Sequence, residues 1–176
     1  MDALPILSVR DLRVTFKSAS GLNEVLHGIS YQLYANEILG IVGESGSGKS
    51  VASLAVMGLL PLKSGVTISG EIIFNSDNVI DYSQKQLETI RGRKIAMIFQ
   101  EPMSALNPSI CCGKQVEEIL LQHSCITKKE AKEEVIRLFS AVKIPEAKTT
   151  YKKYPHEISG GQQQRVMIAM AIACKP

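Results

Sequence analysis

No C-x-x-C pair occurs among the four cysteines, at positions 111, 112, 125 and 174, and none of the three histidines stands at metal-ligand spacing from them. Zinc and iron–sulfur centres therefore lack a ligand set, and the thiols read as those of a reduced, cytosolic protein. Charge of one sign is scarce too, since 20 basic and 17 acidic residues leave a formal net charge of +3. The densest charged run, KKEAKEEVIR at 128–137, mixes both signs as a solvated helix face does, so no nucleic-acid footprint is present. Long apolar runs are missing. The greasiest stretch, Val51 to Leu62, has 12 residues, where a membrane span needs roughly 20. The opening MDALPILSVRDLRV carries no basic-then-apolar signal, so a membrane role would be exercised from the side. There is no internal repeat and no low-complexity tract.

What remains is an ordinary globular composition: 176 residues, 45% apolar and 21% charged, enough for one domain with a core. ILSVRDLRVTF places apolar residues at Leu12, Val14 and Phe16, and GISYQL alternates through Ile29, Tyr31 and Leu33 before the turn YANE; both read as strands. EILGIVG and KIAMIFQ are nearly continuous, the pattern of strands buried on both faces of a parallel sheet. Helices are expected from Val51 to Leu60, in NPSICCGKQVEEILLQH with Pro108 at a first helical position, and after the capping box TKKE at 127–130. The last of these puts Ala131, Val135, Leu138, Phe139 and Val142 on one face. The fold class is α/β with a helical insert.

Glycine beside regular structure costs roughly 1 kcal/mol relative to alanine, yet GESGSGKS packs three glycines between an apolar run and a helix. It fills the pattern G-x-x-x-x-G-K-[ST] through Gly43, Gly48, Lys49 and Ser50, with Gly46 as an extra. Glycines let backbone N–H groups turn toward a polyphosphate, and the following helix adds its positive end. Lys49 would reach the outer phosphates and the Ser50 hydroxyl would take Mg²⁺. A chance glycine-rich turn is the alternative, but the strand-loop-helix context favours phosphate.

Two further signals are weaker alone. IAMIFQ finishes on Gln100, at the carboxyl end of an expected strand where α/β ligands gather; its amide suits a metal or a water, or it merely opens the loop EPMSALNP. ISGGQQQR sets Ser159, Gly160 and Gly161 directly before a helix. This is an N-cap serine with a loose glycine hinge, or a second anion site built on bared N–H groups.

Together the loop GESGSGKS, the string FQEP about fifty residues on and ISGGQ some sixty beyond resemble the Walker A loop, Q-loop and signature of ABC nucleotide-binding domains. FQEPMSALNP and YPHEISGGQQQRVMIAMAIACKP resemble the ATPase subunits of dipeptide, oligopeptide and nickel importers in particular. The resemblance covers essentially the whole chain and implies a P-loop NTPase fold of ABC type, with an N-terminal antiparallel β region and a helical subdomain. The expected division is 1–103 for the β region and P-loop core, 104–162 for the helical subdomain and 163–176 for the return to the core.

By the same resemblance Gly43, Glu44, Ser45, Gly46, Ser47, Gly48, Lys49, Ser50 and Val51 would hold ATP, with Mg²⁺ on Ser50 and Gln100. Lys49 and Gln100 would be the catalytic residues, Gln100 touching the metal and the attacking water. Ser159, Gly160, Gly161 and Gln162 would close on the γ-phosphate of ATP held by a second nucleotide-binding domain, identical or paralogous. Phe16 is the candidate to stack on adenine, or else an ordinary core phenylalanine. A membrane permease would be the other partner, with the subunit peripheral on the cytoplasmic face of the plasma (inner) membrane and no nucleic acid bound. Family members follow the signature helix with a strand ending in Asp-Glu, a D-loop and a switch histidine, whereas the sequence ends at ACKP. As written it is therefore expected to be incomplete at the C-terminus, to hydrolyse ATP little and to expose apolar surface. A soluble ABC protein acting on DNA or ribosomes, and a non-catalytic nucleotide-binding fragment, are the competing readings.

Overall fold

The computed structural model describes residues 4–19, 21–61, 65–101 and 105–176. They separate into two compact units, Met1–Glu88 and Thr89–Pro176.

The first unit is built on an antiparallel sheet of order β2-β1-β3-β4, from β1 (Leu7–Ser18), β2 (Gly21–Leu33), β3 (Val66–Phe74) and β4 (Asp77–Asn78). The strands of ILSVRDLRVTF and GISYQL are present and pair with each other. A bulge between Arg10 and Arg13 shifts the β1 register, with Asp11 at φ 44° and its N–H on the Ser30 hydroxyl at 2.9 Å. One extra residue moves the inward phase by one, which is why Val9, Leu12 and Val14 are all buried despite their uneven spacing. Strand β3 escaped the sequence reading.

Helix α1 (Lys49–Val56) follows the glycine loop and buries Ala52, Ala55 and Val56. It stops short of the expected Leu60. Gly58 N–H bonds to the Ala55 carbonyl at 2.9 Å and Leu59 N–H to the Leu54 carbonyl at 2.8 Å, the paired closure that ends a helix on a glycine.

The runs EILGIVG and KIAMIFQ do not form the expected strands buried on both faces. Neither is a ladder strand, and among the described residues the second unit shows only an isolated parallel bridge between Arg91 and Ile95. Ile38 is 97% exposed and Val42 96%, while Ile98 and Phe99 are about half exposed. The physical reason is pairing: a strand interior to a parallel sheet needs a hydrogen-bonded neighbour on each side, and among the described residues neither run has one.

Beyond the short helix α2 (Gln84–Ile90), the second unit is helical: α3 (Cys112–His123), α4 (Lys128–Ala141), α5 (Ala147–Thr150) and α6 (Gly160–Ile172). Its core gathers Cys112, Val116, Val135, Phe139, Tyr151 and Val166. Thr127 caps α4 as its sequence demands, with both bonds of the Thr127–Glu130 capping box made, and Ala131, Val135, Leu138 and Phe139 lie buried below it. The start of α3 is later than expected. Pro108 sits in a turn, because buried Gln115 clamps that turn, accepting from Asn107 N–H at 2.9 Å and donating to the Asn107 and Ile110 carbonyls at 3.0 and 2.8 Å. The first amides of α3 are taken from afar, Cys112 N–H by the Lys153 carbonyl at 2.8 Å and Gly113 N–H by the Tyr151 carbonyl at 3.0 Å. Residues 102–104 of FQEPMSALNP lie outside the described residues.

Glu117 is the charged residue inside this core, 3% exposed, accepting from the Tyr151 hydroxyl and from Lys114 Nζ at 2.9 Å. Burial, the largest influence, pushes its pKa up, but the hydrogen bonds from Tyr151 and Lys114 outweigh it and hold the carboxyl below the usual glutamate range. A folded value below the unfolded one gives stability that is present above the unfolded pKa and lost as pH falls through the folded one. Thermal melts on acidification below the ordinary glutamate range should therefore show falling stability, with a gentler slope for Glu117→Gln; equal slopes would remove Glu117 from the acid response. Cys112 sits nearby with its thiol pushed up to about 11, chiefly by burial, so it is a packing residue without thiolate chemistry.

Among the described residues no helix is long and apolar enough to cross a membrane.

Candidate functional site

The loop from Gly43 to Gly48 turns back on itself around one ammonium group. Lys49 Nζ donates to the Gly43 and Glu44 carbonyls, each at 2.6 Å, and to the Ser47 hydroxyl at 3.2 Å. Ser47 N–H in turn bonds to the Glu44 carbonyl at 3.2 Å. The loop therefore draws Gly43, Glu44, Ser47 and Lys49 together in the first unit. Gly48 holds the corner at φ 90°, where a Cβ would stand 2.6 Å from Leu26 Cδ2 and 3.2 Å from the Val25 carbonyl. No side chain caps the helix that begins at Lys49. Its first intrahelical bond is Ala52 N–H to the Gly48 carbonyl at 2.9 Å, so the N–H groups of Lys49, Ser50 and Val51 precede the ladder and face outward as donors. Ser45, Gly46 and Ser50 are exposed and Val51 is half-buried. Uncapped amides, a helix's positive end and a lysine on a short tether make an anion cradle.

Phe16 lies on β1, opposite Asn23 of β2 and Val66 of β3, and is half-buried. It shares a face with Val14, whose register partner Leu26 packs against Gly48.

Gln100 and the signature residues belong to the second unit. Gln100 is exposed. Ser159 is the N-cap of α6: its hydroxyl accepts from Gln162 N–H at 3.3 Å, and Gln162 Oε1 accepts from Ser159 N–H at 3.0 Å. The N-cap reading of Ser159 is thus realised, and it leaves Gly160 and Gly161 clear. Both glycines are exposed, with no heavy atom within 4 Å of where a Cβ would stand. A buried residue that sequence reasoning missed braces this corner. Gln163 donates from Nε2 to the Pro155 carbonyl at 2.7 Å, fixing the 3-10 turn Pro155–Glu157 ahead of the cap. Its signal was present, since a glutamine on the inner face of an apolar helix needs a polar partner.

A model of the ABC transporter family matches residues 26–176. The chain belongs to the ABC transporter family. It is 46% identical over 171 residues to the dipeptide transport ATP-binding protein DppD of Bacillus subtilis, covering 97% of this chain and 51% of that protein. The oligopeptide transport ATP-binding protein OppD of Salmonella typhimurium is 47% identical over 171 residues, at 97% and 50% coverage. This ABC chain thus spans about half the length of the curated relatives it matches. Among solved structures, the dimeric bacterial ABC transporter cassette MJ0796 superposes with a TM-score of 0.85 at 25% identity, over 97% of this chain and 70% of that one. A post-hydrolysis state of MJ0796 bound to ADP and Pi matches at 0.84. The fold class read from the three motifs is therefore that of an ABC cassette, with less chain than its relatives have.

Proposed function

We propose that this chain is the ATP-binding portion of a subunit that powers import of peptides, or of a related small solute such as nickel, through a membrane permease. The observation that carries the reading is the loop of Gly43 to Gly48 closed on the Lys49 ammonium beside an uncapped helix start. There a triphosphate would replace neutral carbonyls with charged oxygens, and charge-assisted hydrogen bonds are the stronger kind. Gly43 to Val51 would wrap the phosphates and Phe16 would stack on the base.

The Ser50 hydroxyl, exposed on the first turn of α1, fits a magnesium ligand, and Gln100 is the second. Magnesium, when bound, would neutralise charge on the phosphate oxygens. Gln100 would orient water through its amide. Ser159, Gly160, Gly161 and Gln162 would present the start of α6 to nucleotide held by a second nucleotide-binding domain. The division into 1–103, 104–162 and 163–176, and a peripheral position on the cytoplasmic face of the membrane, are part of this proposal, as is a permease partner rather than nucleic acid. The names of the dipeptide and oligopeptide relatives and the ADP-bound MJ0796 cassette support it.

Equilibrium titration with a fluorescent ATP analogue and magnesium tests it. Saturable binding displaced by unlabelled ATP is expected, along with co-purification of the expressed protein with an integral membrane partner. Absence of any saturable nucleotide binding, or co-purification with nucleic acid in place of a permease, would overturn the reading.

A further inference from the structure

A cleft of about 640 Å³ opens on the second unit between α4 and the α5 segment, lined by Lys132, Lys148, Thr149, Lys152, Lys153 and Glu157 among others. Four ammoniums against one carboxylate give this cleft alone a formal charge of 4 − 1 = +3, equal to the net charge of the entire chain. The remaining charges therefore cancel elsewhere and leave the excess here.

Four carboxylates close by in sequence are engaged by other groups, while Glu133 and Glu146 are exposed and stand outside the cleft lining. Glu117 is paired with Lys114, and Glu134 with Arg137. Glu130 accepts from the Thr127 N–H at 2.7 Å and from its hydroxyl at 2.8 Å. Glu157, inside the cleft, accepts from Tyr154 N–H at 2.7 Å. None of the four lysines enters an ion pair with the described residues. Lys132 instead holds its ammonium 5.6 Å from the centroid of the Tyr151 ring, which fixes one wall. On the other wall Lys148, Thr149 and Lys152 follow helical spacing and share a side of the chain. Four ammonium groups collected around one carboxylate repel one another, and an anion that brings several charges at once relieves all of them. The Thr149 hydroxyl adds a neutral donor.

We propose that this cleft binds a small anion carrying two or more phosphate charges, free in solution or at the head of a phospholipid. It is separate from the glycine loop and does not depend on the nucleotide reading.

The test uses the isotopically labelled full chain carrying Lys49→Ala, so that the glycine loop does not compete, titrated with inorganic tripolyphosphate and followed by amide NMR. Saturable shifts at 148–153 are expected, weakening as salt is raised. Exposed ion pairs contribute about 0.2–1 kcal/mol each, so Lys148→Ser with Lys152→Ser should weaken binding roughly tenfold, while Lys148→Arg with Lys152→Arg should bind as the parent does. In a second arm, flotation with cardiolipin vesicles, whose headgroup carries two phosphates, is compared with phosphatidylcholine vesicles. Recruitment by cardiolipin that the serine pair abolishes, without saturable response to tripolyphosphate, identifies a lipid-borne source. Binding in either arm that survives the serine pair, or silence in both arms, overturns the proposal.

Discussion

Gly113→Ala should destabilise the helical unit by about 1–5 kcal/mol, although alanine is ordinarily the better helix former by roughly 1 kcal/mol. Gly113 is in the first turn of α3, and a Cβ there would stand 2.1, 2.4 and 2.6 Å from Cδ2, Cγ and Cε2 of the Tyr151 ring. Those are side-chain atoms, but not the free end of a flexible chain. The backbone on either side is tied to α3 through Gly113 N–H to the Tyr151 carbonyl, and the ring's hydroxyl donates to buried Glu117. Lys114 and Lys132 lie over the ring at 5.9 and 5.6 Å. Moving the ring therefore forfeits the Glu117 bond. Forcing a methyl into a packed site costs about 1–3 kcal/mol, and leaving a buried acceptor short of a partner costs about 1–3 more, from which the helix-propensity gain is subtracted. Thermal or urea unfolding of the two proteins measures it. A neutral or stabilising substitution would mean that the ring has room the geometry denies.

That contact also shows where sequence reading stops. Gly113 and Tyr151 are 38 positions apart (151 − 113), and no local pattern announces that one accommodates the other. Local information served well where the physics was local. The Thr127–Glu130 box and the inner face through Phe139 were legible because both partners of the cap, and the period of the face, lie within a few residues. Pro108 was misread because its turn is held by Gln115, a clamp invisible to helix propensity. Strand β3 was missed where the regular alternation that marks a strand is broken: Val66 and Ile72 are buried, but Gly70 and its neighbours are exposed beside the β1 bulge. The runs at 37–43 and 94–100 teach the opposite lesson. Their continuous apolar character states a demand for neighbours on both sides, and reading the demand as its fulfilment placed Ile38 and Val42 in a core from which the structure excludes them.

At the site, the strand-loop-helix turn of the glycine loop was legible because it is local, one loop closed on Lys49 and one uncapped helix start, the arrangement a backbone anion site requires. The signature was legible as a cap and as a bare glycine pair, whereas Gln163 signalled a need for a polar partner without naming Pro155 as that partner. The proposed sharing of nucleotide between two separated motifs would be a property of assembly, which the residues of one chain do not specify.

Lys49→Ala should weaken ATP binding about 10–150-fold while leaving the melting temperature nearly unchanged. Hydrogen bonds involving charged groups contribute about 1.5–3 kcal/mol, and an affinity changes tenfold for each 1.4 kcal/mol, which sets that range. The small stability effect follows from where the ammonium now rests. Its three acceptors, the Gly43 and Glu44 carbonyls and the Ser47 hydroxyl, belong to exposed residues, so water replaces the lost donor at little cost. Ser159→Ala makes the contrasting control. It removes the cap of α6 and should lower the stability of the helical unit by about 1 kcal/mol, yet leave the ATP affinity of a single chain as it was, because the proposed role of Ser159 is toward nucleotide held by another domain. Parallel titrations and melts of the two variants separate a phosphate-binding lysine from a lysine that merely closes its loop. If ATP binds Lys49→Ala as tightly as it binds the parent, the ammonium is structural and the phosphates lie elsewhere.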